Sequence, residues 1–242
     1  MADIAVTHAT TPFISAYPWS AGFGAKYSNP ATLPTTASVG VAFGVSDVFF
    51  SSFGSPYILA YPWSAGFGTK YSDPATLPLY YVYGVAYGGG NVAVSFYSFS
   101  PYVHVYPWSA GFGSKYSNPG TLPAGDGYGV AFGASDIAVA HTTSPYISAY
   151  PWSAGFGAKY SNPATLPTGN GSSVAFGASD IAVAHATSPR ISVYPWSAGF
   201  GAKYSNPGTL PTGDGYGVAW FSGGSPPPPP ASSGNLLLLG VG

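Results

Sequence analysis

Seven aspartates are the only acids in the chain: Asp3, Asp47, Asp73, Asp126, Asp136, Asp180 and Asp214. Hydrolysis of a sugar bond needs two carboxyls converging on one linkage, so a catalytic pair should stand apart from the rest. None does. Asp3, Asp47, Asp136 and Asp180 occupy one recurring position at the start of a strand-like segment, and Asn91 replaces the acid in the remaining occurrence. Short polar residues at such a place cap turns. Asp126 and Asp214 lie in Gly-Asp-Gly turns, and Asp73 replaces the Asn of a recurring Ser-Asn-Pro. The expectation is a chain without a catalytic residue, not an enzyme.

Other chemistries fare no better. His8, His141 and His185 share one recurring position, where Ser52 and Phe96 stand in the other occurrences, and His104 lies in a different segment. Two non-ligands in five favour a histidine hydrogen-bonded in place over a ring of metal ligands, so no metal and no cofactor are expected. Zero cysteines remove disulfides, thiolate metal sites and Cys nucleophiles together. The glycine-rich stretches lack the Gly-Lys-Ser/Thr of a phosphate loop. Six Lys and Arg against seven acids leave no basic footprint for nucleic acid.

One array remains. Lys26, Lys70, Lys115, Lys159 and Lys203 each follow Gly-Phe-Gly-x and precede Tyr27, Tyr71, Tyr116, Tyr160 and Tyr204. On an outer edge strand such lysines block sheet-to-sheet association. Alternatively they bind an anionic glycan or a symmetric partner through avidity. These lysines, with Trp19, Trp63, Trp108, Trp152 and Trp196, are the candidate partner or glycan contacts.

The elements that must position these residues are repeats. YPWSAGFG begins at Tyr17, Tyr61, Tyr106, Tyr150 and Tyr194, and the tryptophans are 44, 45, 44 and 44 residues apart. Eighteen residues from each of these tyrosines vary at only three positions. Units start at residues 3, 47, 91, 136 and 180. Within the fourth, turn residues separate Asp136–His141, Tyr146–Tyr150, an outer segment Phe156–Tyr160, and Ser173–Gly177. Four short strands per unit of this length are the pattern of a propeller blade. The sequence therefore predicts an all-β, five-bladed propeller of four-stranded blades over 1–222. Tyr216–Trp220, an orphan first strand, would pair with Asp3–Val6 and close the ring. Composition agrees: 5% charged residues against about 25% in an average domain, with 46% hydrophobic and 17% aromatic, suit strands buried on both faces. On this reading the tyrosines, phenylalanines and tryptophans fill the gaps between blades.

Gly129–Ser153, GVAFGASDIAVAHTTSPYISAYPWS, resembles the WD-repeat pattern of strand, tight turn, strand, and a third strand ending in an aromatic. More closely, SP-I-x-x-YPWS and GFG-x-KY-x-(N/D)PATLP resemble the WD-like repeats of tailed-phage and related viral proteins. The resemblance spans Asp3–Phe221. It departs from the general pattern in having Tyr150-Pro151-Trp152 where Trp-Asp is usual. It implies a non-enzymatic structural or attachment protein of a virion: a fibre, tail or capsid-decorating component. Its partners would be other virion proteins and a host-surface glycan. A soluble five-bladed lectin binding glycans multivalently is the alternative.

Residues 223–242 form a second segment. Pro226–Pro230 would be a stiff polyproline spacer about 15 Å long. Four consecutive leucines follow it, Leu236, Leu237, Leu238 and Leu239, an apolar stretch suited to docking on another subunit. No apolar run reaches the roughly 18–20 residues of a membrane helix, so membrane insertion is not expected. Met1–Val6 has no basic segment followed by an apolar one, so synthesis in a host cytoplasm without a signal peptide is expected.

Overall fold

A computed structural model describes residues 2–220. Fourteen strands and no helix occur among the described residues. They run β1 (Ala2–Thr7), β2 (Ile14–Trp19), β3 (Ser38–Phe43), β4 (Asp47–Ser52), β5 (Ile58–Pro62), β6 (Val82–Gly88) and β7 (Asn91–Phe96). Then come β8 (Val103–Pro107), β9 (Gly127–Phe132), β10 (Asp136–His141), β11 (Ile147–Pro151), β12 (Gly171–Phe176), β13 (Asp180–His185) and β14 (Ile191–Pro195). All pairings among these strands are antiparallel. The sheets are β1-β2, β3-β4-β5, β6-β7-β8, β9-β10-β11 and β12-β13-β14.

Alternation of large and small residues explains how the sheets stack. Every residue of β10 is buried, so the strand shows no polar face. Ile137 and Val139 pack with Ala93, Val103 and Val105 of the preceding unit. Ala138 and Ala140 pack with Ile181 and Val183 of the following one. Bulky side chains thus meet alanines across these two gaps, which lets the layers interdigitate, while between the second and third units Phe49 stands in the alanine position against Val92 and Val94. The inner strands β3, β6, β9 and β12 lie side by side in that order. Glycine permits this approach: a Cβ on Gly129 would stand 2.7 Å from the Ser173 Cα. The hairpins β1–β2, β4–β5, β7–β8, β10–β11 and β13–β14 each turn on a cis X–Pro bond, Ser144–Pro145 in the fourth unit.

The sheets hold three strands or two, not the expected four. After β11 the chain makes a single bridge, Trp152 to Phe156, and one further main-chain bond, Tyr160 N–H to Ala149 O at 2.9 Å. Pro163 and Pro167 have no N–H to give a ladder. The segment therefore peels away as an irregular crossing instead of forming an outer strand. Lys159 and its four equivalents lie on that crossing.

The closing pair is also absent among the described residues. Tyr216–Trp220 runs beside β12, with the Trp220 indole N–H donating to Ala175 O at 3.1 Å, while β1 pairs with β2 alone. Val6 is consequently 44% exposed, whereas Phe50, Val94, Val139 and Val183 at the same repeat position are fully buried. The expected docking tail, Pro226–Pro230 with Leu236, Leu237, Leu238 and Leu239, lies outside the described residues.

Candidate functional site

The aspartates at the start of β1, β4 and β10 form a clasp between units. Asp47 Oδ1 accepts from the Tyr71 hydroxyl of its own unit at 2.8 Å, and Oδ2 accepts from the Trp108 indole of the next unit at 2.9 Å. Asp3 does the same with Tyr27 (2.8 Å) and Trp63 (3.0 Å). Asp136 repeats it with Tyr160 (2.8 Å) and Trp196 (3.0 Å). The indole stands edge-on to the tyrosine ring, with centroids 5.3, 5.0 and 5.2 Å apart in the three clasps. A second link runs in parallel. Tyr61, Tyr106, Tyr150 and Tyr194 donate to the carbonyls of Thr32, Thr76, Thr121 and Thr165 of the preceding unit at 2.8–2.9 Å. Sequence reading treats these acids as turn caps. The separation of acid and indole, 60 residues in the first clasp, hides the link. The strict recurrence of both residues is its one visible signal.

Where Asn91 replaces the acid, the clasp fails. Asn91 Nδ2 donates instead to Gly89 O at 2.8 Å, and the buried Trp152 Nε1 has no partner. At the ends of the described chain both halves stand open. Asp180 binds the Tyr204 hydroxyl at 3.0 Å but no indole. Trp19 is 38% exposed where Trp108 is 8% exposed. A cavity of about 440 Å³ opens beside Asp180, Tyr204 and Trp220. On the other end, Ile4, Val6, Tyr17 and Phe23 line a second of about 580 Å³.

Each lysine of the array binds within its own crossing. Lys115 Nζ donates to Tyr116 O at 2.9 Å and to Asn118 Oδ1 at 2.7 Å. Lys26, Lys159 and Lys203 meet Asn29, Asn162 and Asn206 in the same way, and Lys70 pairs with Asp73. Trp63, Trp108, Trp152 and Trp196 lie between units, each against the crossing tyrosine of the preceding one. The histidines are held within their sheets: His141 Nε2 and Ser148 Oγ are 3.0 Å apart, as are His185 and Ser192. Burial holds the His141 imidazole down at about 4 and that of His104 at about 3. Among the described residues no three His, Asp or Glu side chains gather as metal ligands.

Residues from all five repeats meet at one end of the inner strands. Val39, Tyr83, Tyr128, Ser172 and Tyr216 share a repeat position and together line a cavity of about 330 Å³. Thr142, Asn170 and Ala186 line a smaller one beside it. The repeats diverge here. The recurring position of Tyr83 holds Val, Tyr, Tyr, Ser and Tyr, and that of Tyr81 holds Ala37, Tyr81, Asp126, Asn170 and Asp214. Units two and three make this end aromatic. Tyr83 and Tyr128 have centroids 4.6 Å apart, Phe53 is 5.1 Å from both Tyr81 and Tyr83, and Tyr80 stacks on Tyr81 at 4.0 Å. Tyr97 and the exposed Phe99 extend the patch through an extra residue in the third unit. Burial raises the phenol pKa of both Tyr83 and Tyr128, so both keep their hydroxyl protons at neutral pH. Asp126 accepts from the Ser98 N–H at 2.8 Å, and Arg190 pairs with Asp214.

Neither a protein-family model nor a curated protein sequence matches the chain. Solved structures do. A chain of the nidogen/laminin complex superposes with a TM-score of 0.59 at 13% identity, over 91% of this chain and 82% of that one. The computationally designed Ika8 protein gives 0.58 at 11% identity over 77% of this chain, which spans 53% of the Ika8 chain. The designed Ika4 protein gives 0.53 at 12% identity, over 68% and 94%. At these identities the likeness concerns the fold alone, and that fold is an all-β, propeller-like one.

Proposed function

We propose that the chain is a five-bladed propeller, closed between its first and last units, that acts without chemistry of its own as a structural or attachment component. The observation that carries this reading is that the repeated polar groups serve the scaffold. Carboxylates clasp indoles and phenols, lysines bind asparagines, and histidines bind serines. A glycoside hydrolase would need two carboxyls converging on one linkage, whereas each clasping acid here serves a different gap between units.

Closure is supported by the two open halves of one clasp. The same spacing that joins Trp63 to Asp3 assigns Trp19 to Asp180 and Tyr17 to the Thr209 carbonyl. In that arrangement Trp19 fills the cavity between Tyr204 and Trp220, and Tyr216–Trp220 becomes the inner strand of the blade begun by β1 and β2. Burying these faces removes exposed apolar surface that a monomer rarely keeps.

The resemblance to WD-like phage repeats supports a reading in which this scaffold belongs to a virion. Mass spectrometry of particles purified from the source tests that assignment. Recovery of the chain in fixed proportion to other particle proteins supports it, and recovery only from the soluble cell fraction overturns it. A lectin is the second reading, favoured by the recurrence of one Lys–Asn or Lys–Asp pair per unit on the outer crossing. Strong binding to a simple sugar on a glycan array, reduced stepwise by Lys→Ala changes, would select it.

A further inference from the structure

We infer that the aromatic end of the axis is a docking groove for an extended proline run, and that its occupant is Pro226–Pro230 of a second copy of this chain. The scaffold repeats fivefold, yet this end does not. Tyr80, Tyr81, Tyr83, Tyr97, Phe99 and Tyr128 concentrate on two units. A polyproline helix offers ring faces and carbonyls with no internal partner. Aromatic-lined grooves recognise that surface, and phenols that keep their protons can donate to the carbonyls. Charge agrees with this occupant. Residues 221–242 carry no charged side chain. At the groove Asp126 is already bonded to Ser98 N–H, and the neighbouring cation, Arg190, is paired with Asp214. Among the described residues, an anionic ligand finds no free cation there to meet it.

Reach assigns the run to another copy. Tyr216 lies at the groove, but Trp220 lies at the far end of β12, against Ala175 and Gly177. The chain thus leaves the scaffold from the opposite end of the axis. Phe221–Ser225 spans at most about 18 Å. A path back over a three-stranded blade needs about 10 Å outward, about 13 Å along the strands and about 10 Å inward. With the ring closed as proposed above, on which this inference rests, Pro226 cannot return to its own groove. It can enter the groove of a copy stacked on the same axis. Such a contact joins unlike surfaces and repeats from copy to copy.

Sedimentation velocity of the full chain, from micromolar to near-millimolar concentration, tests this. Concentration-dependent self-association is expected. Replacing Pro226–Pro230 with glycine and serine should abolish it, and Tyr97→Ser with Phe99→Ser, both at exposed positions, should weaken it about tenfold or more. The synthetic peptide Ser-Gly-Gly-Ser-Pro-Pro-Pro-Pro-Pro-Ala-Ser should dissociate the assemblies. A chain that stays monomeric throughout overturns the inference, as does association that survives either change or depends only on Leu236–Leu239. Assemblies that cellohexaose dissolves and the peptide does not would also overturn it. Ring closure is read separately by cross-linking Ala5→Cys to Ala219→Cys, so failure of one reading is not mistaken for failure of the other.

Discussion

Trp108 donates its indole N–H to Asp47 Oδ2 at 2.9 Å, across 61 residues of sequence and one gap between units. The same carboxylate receives the Tyr71 hydroxyl. One acid thereby satisfies a buried indole and a part-buried phenol. A hydrogen bond to a charged group contributes about 1.5–3 kcal/mol, and a buried donor left unpaired costs about 1–3 kcal/mol.

Asp47→Ala should therefore destabilise the chain by about 2–4 kcal/mol, with the indole and the phenol both stranded. Urea unfolding monitored by far-ultraviolet circular dichroism gives the difference. A loss below about 0.5 kcal/mol would mean that water reaches both donors and that the clasp is ornamental.

The converse change is Asn91→Asp. It supplies the acceptor that the buried Trp152 Nε1 lacks, and it removes the Asn91 bond to Gly89 O. The exchange of a neutral local bond for charge-assisted ones should stabilise by about 1 kcal/mol, read as a higher melting temperature at neutral pH. A lower melting temperature would show that the Gly89 turn depends on the amide.

Closure makes its own prediction. By the register of β9 on β10, where Ala131 faces Ala138, Ala219 faces Ala5 in the completed blade. The chain has no cysteine, so Ala5→Cys with Ala219→Cys yields one unambiguous disulfide. Oxidation at low concentration should give a faster-migrating monomer on a non-reducing gel. Disulfide-linked dimers, or free thiols, would mean that the terminal strands do not meet within one chain.

Acid should weaken the fold through its histidines. Burial, helped by the positive charge of Lys159 or Lys115, lowers His141 to about 4 and His104 to about 3, against about 6.5 in the unfolded chain. Between those values the unfolded state holds more protons, so stability rises with pH there. The full contribution is present above pH about 6.5 and is lost as pH falls toward 4 and then 3. Each group is worth roughly 3–5 kcal/mol over its window. Unfolding at stepped pH measures it. His104→Phe should flatten part of the slope, and an unchanged slope would mean that these imidazoles protonate inside the fold.

Much of this protein is legible in its sequence. The recurrence of Tyr-Pro-Trp every 44 or 45 residues reveals the units. The runs Asp136–His141 and Ile147–Pro151 become the strands that their β-branched and small residues suggest, because local preference and burial on both faces agree. Glycines and prolines mark the turns, since they act within a few residues of themselves. The outer strand is misread for a related reason. Phe156–Tyr160 has strand-like residues, but a strand exists only if a neighbour's ladder accepts it, and Pro163 and Pro167 keep the ladder from continuing.

What only the tertiary structure decides is which distant residues meet. Asp47 and Trp108 are two fixed letters in a repeat, and nothing local distinguishes a capping acid from a clasp. The choice depends on how far each unit rotates about the axis, which the packing of Ile137 and Val139 against Ala93 sets. The aromatic end of the axis is decided in the same way. Tyr83 and Tyr128 are 45 residues apart in sequence and have ring centroids 4.6 Å apart. Both belong to inner strands whose glycines allow adjacent backbones to approach closely. Pairing of that kind is a property of the converging scaffold, and the sequence encodes it only through the volumes that must fit.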